Sequence, residues 1–246
     1  MHILTKLCVH GGVVPTSPQW LDEGIMTQAE PLSVQIARLR QHMPQLQRLP
    51  NLDCFKNRDL PFGADGLYAF PNWRRLGMSY EDACTTLSYA LRREYKEAFT
   101  WSVTDNIPLR DGLPQFEGKL VAMDPNGDTA MERAVSWQLH ADIVVLPARI
   151  LQPQTENLEI VRRRLGVWVG GGVGYFHALS VLLTHPKLLC GENEPPIYCM
   201  HEVYQGSASR GFPVVKPTEH GITVSIEVTH RDPSEYRPAY WLNPRL

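Results

Sequence analysis

The chain has 246 residues, of which 43% are apolar and 20% charged, with a formal net charge of −2. That composition supports a sizeable buried core and excludes wholesale disorder. The near-neutral balance disfavours a protein built mainly to grip nucleic acid: the clusters Arg92-Arg93 and Arg162-Arg163-Arg164 have glutamates beside them at helical spacing, as on a solvated helix face.

In chain order, residues 3–14 read as a first strand broken at Gly11-Gly12, and Ser17-Pro18 as the start of a short helix over 19–25. Thr27-Gln28-Ala29-Glu30 has the form of a capping box. Leu32, Ile36, Leu39, Met43 and Leu46 follow on one helix face, with Pro44 set to kink or end the helix. Residues 50–78 are rich in Pro, Gly, Asn and Asp and read as an irregular connection, long enough to hide strands. Ser79 and the acidic turn Tyr80-Glu81-Asp82 open an amphipathic helix whose core face is Tyr80, Cys84, Leu87, Leu91, Tyr95 and Ala98.

Residues 100–118 read as irregular and 119–123 as a short strand. Asp124-Pro125-Asn126-Gly127 is a turn, and Thr129-Ala130-Met131-Glu132 a second capping box for a helix to about His140. Residues 142–147 predict a buried β-branched strand stopped by Pro147. A helix over 157–165 with Gly166 as its C-cap, a strand at 166–169 and a helix over 175–185 ended by Pro186 come next. Residues 196–204 and 222–228 read as strands. In the second, Ile222, Val224, Ile226 and Val228 alternate with polar residues, as in a half-buried antiparallel strand. The expected fold is mixed α/β, with helices packed on one mixed sheet, a helix-rich first half and a strand-richer second half. One globular domain would span 1–246, with a helical subregion at 15–118 and a mixed core at 119–246.

The five cysteines, Cys8, Cys54, Cys84, Cys190 and Cys199, are odd in number and form no CxxC pair, so they read as free thiols of a reducing compartment. The first residues lack a sustained apolar leader, and 167–183 is too short and too glycine-rich for a membrane span. The expected location is cytoplasmic.

The most distinctive segment is Gly170-Gly171-Gly172-Val173-Gly174, between an apolar stretch and an apolar helix. A glycine-rich loop opening a helix lets backbone N–H groups close on a phosphate or carboxylate. The same glycines could instead serve close packing of a helix against another element, or lie within one long helix. Neither the dinucleotide fingerprint nor the P-loop is matched, because Tyr175 or His177 stands where the third glycine belongs and no Lys-Ser/Thr follows. Ser207, Ser209 and Arg210 form a second candidate anion site, which also reads as an exposed loop between strands. The nucleophile elbow fails because Ser207 stands two residues before Ser209, where glycine is required.

Metal motifs fail as well. The loop at Asp124 has Thr129 and Val135 where a calcium loop requires Gly and Glu, and Gln205 replaces the second histidine after His201-Glu202. His177 and His185 would lie about 12 Å apart along a helix, too far for one ion. No motif names a cofactor, a metal or a catalytic group. Tyr236, Tyr240 and Trp241 sit in a Pro-rich tail that packs on its own chain or docks on a partner or second copy. Three functions therefore stand side by side. One is binding of, or catalysis on, a small anionic ligand, phosphorylated or not, at Gly170, Gly171, Gly172, Gly174, Ser207, Ser209 and Arg210. Another is a non-catalytic interaction protein using the tail or a sheet edge. The third is a hydrolase with dispersed catalytic residues.

Overall fold

The apolar run after the glycines folds into a helix with no solvent-facing side, and the other elements surround it. The computed structural model describes residues 29–242 except 54, 56–59, 62, 96–99, 105, 117–118, 123–137, 139, 152–162, 164–168, 190–195, 207–209, 219 and 229–238. In chain order it contains α1 (Leu32–His42), β1 (Gly66–Pro71), α2 (Tyr80–Tyr95), β2 (Thr100–Val103), β3 (Leu109–Arg110), β4 (Leu113–Pro114), β5 (Leu120–Ala122) and β6 (Ile143–Arg149). Then follow β7 (Val169–Gly172), α3 (Tyr175–Thr184), a 3-10 turn (Pro186–Leu189), β8 (Ile197–Tyr198), β9 (Glu202–Gln205), β10 (Arg210–Thr218), β11 (Gly221–Val228) and β12 (Tyr240–Leu242). No described helix is long and apolar enough to cross a membrane.

The mixed α/β class holds. Among the described residues the expected mixed sheet has six strands, and a four-stranded antiparallel sheet and the two-stranded β3-β4 pair accompany it. The larger runs β2-β11-β10-β9-β5, with β8 also on β10; β2 is parallel to β11 and the other pairs are antiparallel. The smaller runs β1-β6-β12-β7. Before residue 119 the described chain holds two helices and also four strands, and β1 and β2 pair across that position with β6 and β11. All ten residues of α3 are buried, against α1, α2, β1 and β10. A helix that is apolar all round belongs in such a place.

Several local patterns fold as their residues dictate. Leu32, Ile36, Leu39, Met43 and Leu46 are all buried. Helix α1 starts later than the capping-box reading allows, with Pro31 at the N-cap and no side-chain cap, because the residue before a proline is kept out of the helical region. Strand β1 lies inside the stretch read as irregular. Asp111 and Gly112, both at positive φ, close the two-residue hairpin between β3 and β4, the turn for which Asp-Gly is suited.

Strand β6 runs through Pro147 instead of stopping there. No neighbour requires the missing N–H at this point. Gln138 offers its side-chain amide to the N–H (2.7 Å) and carbonyl (2.8 Å) of Val145, while β12 begins its pairing at Ala148. Gln35 does the same on the outer edge of β1: its Nε2 donates to Leu67 O (2.8 Å) and its Oε1 accepts from Ala69 N (2.9 Å). Each glutamine stands in for a strand. Asp142, at the start of β6, accepts from Gln47 N, Arg48 N and Arg75 Nε. Burial pushes its carboxyl up, but these donors outweigh it and hold the group below the ordinary range.

The described part of the tail, residues 239–242, is internal. β12 lies between β6 and β7, and Tyr240 is buried. Removing residues 233–246 therefore takes out an inner strand, and the expected result is loss of cooperative unfolding, checked by urea titration. Replacing Gln35 with Ala strands two buried backbone groups at about 1–3 kcal/mol each. The expected outcome is a clear fall in urea midpoint with the fold retained.

Candidate functional site

A buried helix leaves its first N–H groups without partners unless something is supplied. Gly174, at the N-cap of α3, has no side chain to offer. Its own N–H donates to Nδ1 of His177 (3.2 Å). Tyr175 N donates to Oε2 of Glu202 (2.9 Å), and Phe176 N to the hydroxyl oxygen of Tyr80 (3.1 Å). The Tyr80 hydroxyl in turn donates to Oε1 of Glu202. A carboxylate from β9 and a phenol from α2 thus complete the start of α3. The negative group meets the positive end of the helix dipole.

The surroundings keep this cluster's weak acids protonated. Burial, followed by the negative charge of Glu202, pushes the Tyr80 hydroxyl well up. Burial likewise raises the thiols of Cys84 and Cys199, with Glu202 adding to it, and raises the Tyr175 hydroxyl. Both cysteines are free and buried, and thiols held neutral in this way are poor nucleophiles. His177 is held down to about 3, by burial first and then by His201, so its ring is uncharged at neutral pH. Since Nδ1 accepts from Gly174, the ring proton is on Nε2, a buried atom with no hydrogen-bond partner.

The cluster reaches the surface through Tyr80 and His201, both half-buried. Trp73 packs edge-on against Tyr80 with ring centroids 5.8 Å apart, and the Arg74 guanidinium lies 5.1 Å from the centre of the Trp73 ring. Among the described residues, no three His, Cys, Asp or Glu side chains are placed to hold a metal ion.

The glycines have a definite place here. Gly170, Gly171 and Gly172 belong to strand β7, so only Val173 and Gly174 lie between strand and helix; the segment is strand, short link and helix. A Cβ on Gly172 would stand 2.7 Å from the carbonyl carbon of Met200, and one on Gly174 would stand 2.6 Å from Oε1 of Glu202. Their bareness lets the segment from Met200 to Glu202 close on β7 and α3, where His201 N also reaches Val173 O (3.3 Å). The N–H groups that would cradle an external anion are occupied by Glu202, Tyr80 and His177. Arg210 is exposed at the start of β10, opposite Gln205. That is three residues beyond Glu202, roughly 10 Å along the strand. Ser207 and Ser209 lie outside the described residues.

Tyr80 and Glu202 stand 122 residues apart in sequence, so no local pattern joins them. The one available signal was Glu202 itself, a charged residue inside the stretch 196–204 that reads as a strand. Compared with known proteins, the chain matches no family model, no curated protein and no solved structure.

Replacing Gly172 with Val is expected to prevent folding, because the new side chain meets main chain and not a movable tip; solubility and circular dichroism report it. Glu202→Ala leaves two buried donors unpaired, at about 1–3 kcal/mol each. Glu202→Gln keeps an accepting oxygen and is expected to lose less in urea unfolding.

Proposed function

We propose that the chain binds a small, uncharged, hydrogen-bonding ligand at the N-terminal end of α3. The observation that carries this reading is the Nε2–H of His177, a buried donor without an acceptor on the ring whose Nδ1 accepts from Gly174 N. Such a donor costs about 1–3 kcal/mol when left unpaired, and a carbonyl or hydroxyl oxygen would satisfy it. Tyr80 and His201 give the cluster its way to solvent. Gly170, Gly171, Gly172 and Gly174 serve as the bare backbone wall of this site. Arg210 lies too far along its strand to share it.

The preference for an uncharged ligand has an electrostatic basis. Glu202 already occupies the place that a phosphate or carboxylate would take at the helix start. An anionic ligand must displace it, or sit against a like charge. The Glu202–Tyr80 pair is suited instead to a ligand hydroxyl or amide, met by an oxygen on one side and a phenol on the other.

A thermal-shift screen tests this with paired probes: nucleosides against nucleotides, and sugars against sugar phosphates. A ligand at 100 times its Kd adds about 2.7 kcal/mol to stability. The expected response comes from an uncharged member and is lost in Tyr80→Phe. A response from the phosphorylated member that grows in Glu202→Gln would instead support an anion replacing the carboxylate. No response from any probe would reject this site.

A further inference from the structure

Two imidazoles bracket α3. His177 is in its first turn and His185 follows its last residue, 5% and 3% exposed respectively. Both face β1: His177 lies edge-on to Phe70 with centroids 4.8 Å apart, and His185 lies 5.2 Å from Tyr68. Tyr68 and Phe70 are alternate residues of one strand and so share a face. Between them Ser180 Oγ donates to Ala69 O (3.3 Å). The two rings and this hydroxyl hold α3 on β1.

The rings are in opposite tautomers. Nδ1 of His177 accepts from Gly174 N, so its proton is on Nε2. Nδ1 of His185 lies 3.2 Å from Val181 O. Thr184 Oγ1, whose hydroxyl donates to Ser180 O, lies 2.8 Å from the same Nδ1, and both it and the carbonyl can accept, so the proton of His185 is on Nδ1 and its Nε2 is a buried acceptor without a partner. A second proton on His177 must go to Nδ1, where it would face the Gly174 N–H, donor against donor. It would also place a cation at the positive end of the helix. A second proton on His185 must go to the partnerless Nε2.

We propose that the docking of α3 on β1 requires both imidazoles to be uncharged, so that mild acid lowers the stability of the fold that holds this contact and the Tyr80–Glu202 cluster. The groups around each ring agree. His177 is faced by His201 and Glu202 from the segment entering β9 and by Tyr80 from α2, while β1 presents Phe70. Glu202 is already bonded to Tyr175 N and the Tyr80 hydroxyl. His185 is faced by the cations Arg38 of α1 and Lys187 of the following turn, and on β1 by Tyr68, whose hydroxyl donates to Asp65 (2.6 Å).

Burial, joined by His201, holds His177 down to about 3. Burial, joined by Arg38 and Lys187, holds His185 to about 4 against the bond to Val181. An unfolded imidazole titrates near 6.5. Between those values the unfolded chain binds more protons than the folded one, so stability falls as pH falls through the window and is level above it. Each ring lowers the folded-to-unfolded ratio by up to about tenfold per pH unit there.

Urea unfolding of the full chain, followed by tryptophan fluorescence at pH 7.5 and 5.5, tests this. The wild-type midpoint is expected to fall at the lower pH, and a His177→Gln, His185→Phe double variant to lose most of that fall. An undiminished fall in the folded double variant, or none in the wild type, would overturn the proposal. Ring nitrogen NMR of the unaltered protein covers the case in which the variant does not fold. Two of the nine imidazoles should stay neutral at pH 5.5, one protonated on Nε2 and one on Nδ1. Nine rings titrating near 6.5 would overturn the proposal.

Discussion

The contact on which the rest of this molecule depends is the one between the Glu202 carboxylate and the start of α3. An apolar helix placed at the centre of a fold gains from burial on every side, but its first turn presents donors that water cannot reach. A side chain at the N-cap would be the local answer, and Gly174 rules it out. The donors are served from elsewhere in the chain, by β9 and α2. This fixes the direction of α3 and brings the larger sheet against its end. It also accounts for Gly172 and Gly174, whose missing side chains make room for the arriving strand.

The sheets show the same economy of polar groups. Gln35 and Gln138 each offer an amide in the geometry of a neighbouring strand. Gln35 thereby closes an edge that would otherwise be open to pairing with another chain. Asp142 gathers two backbone donors from the segment after α1 and a guanidinium from the segment after β1. These side chains act as main-chain partners, so the connections between elements are as well satisfied as the elements.

Patterns with a local cause were legible in the sequence. The apolar stripe of α1, the acidic start of α2 and the alternation in β11 each reflect one face against one core. What escaped has physical reasons too. The hairpin at Asp111-Gly112 joins strands of only two residues each, too short for periodicity to register. β1 is buried on both faces and ends in proline, so it shows no alternation. Pro147 reads as a stop because Gln138, which removes the need for its N–H, lies outside the strand. The glycines stood out, but their reason lies in Met200 and Glu202, and such an approach is invisible until the chain is folded. For the same cause, Tyr80, His177 and Glu202 did not appear together as candidates.

The insertion of β12 between β6 and β7 bears on how the chain is made. β12 is the last described strand in chain order, yet it takes an inner position. On a ribosome, β6 and β7 emerge well before the segment that bridges them, and each waits with an unpaired edge. Pairings of such long sequence separation form slowly and expose strands meanwhile. The smaller sheet is thus completed late, as a clasp, and the period before it closes is when a nascent copy is most open to pairing with another.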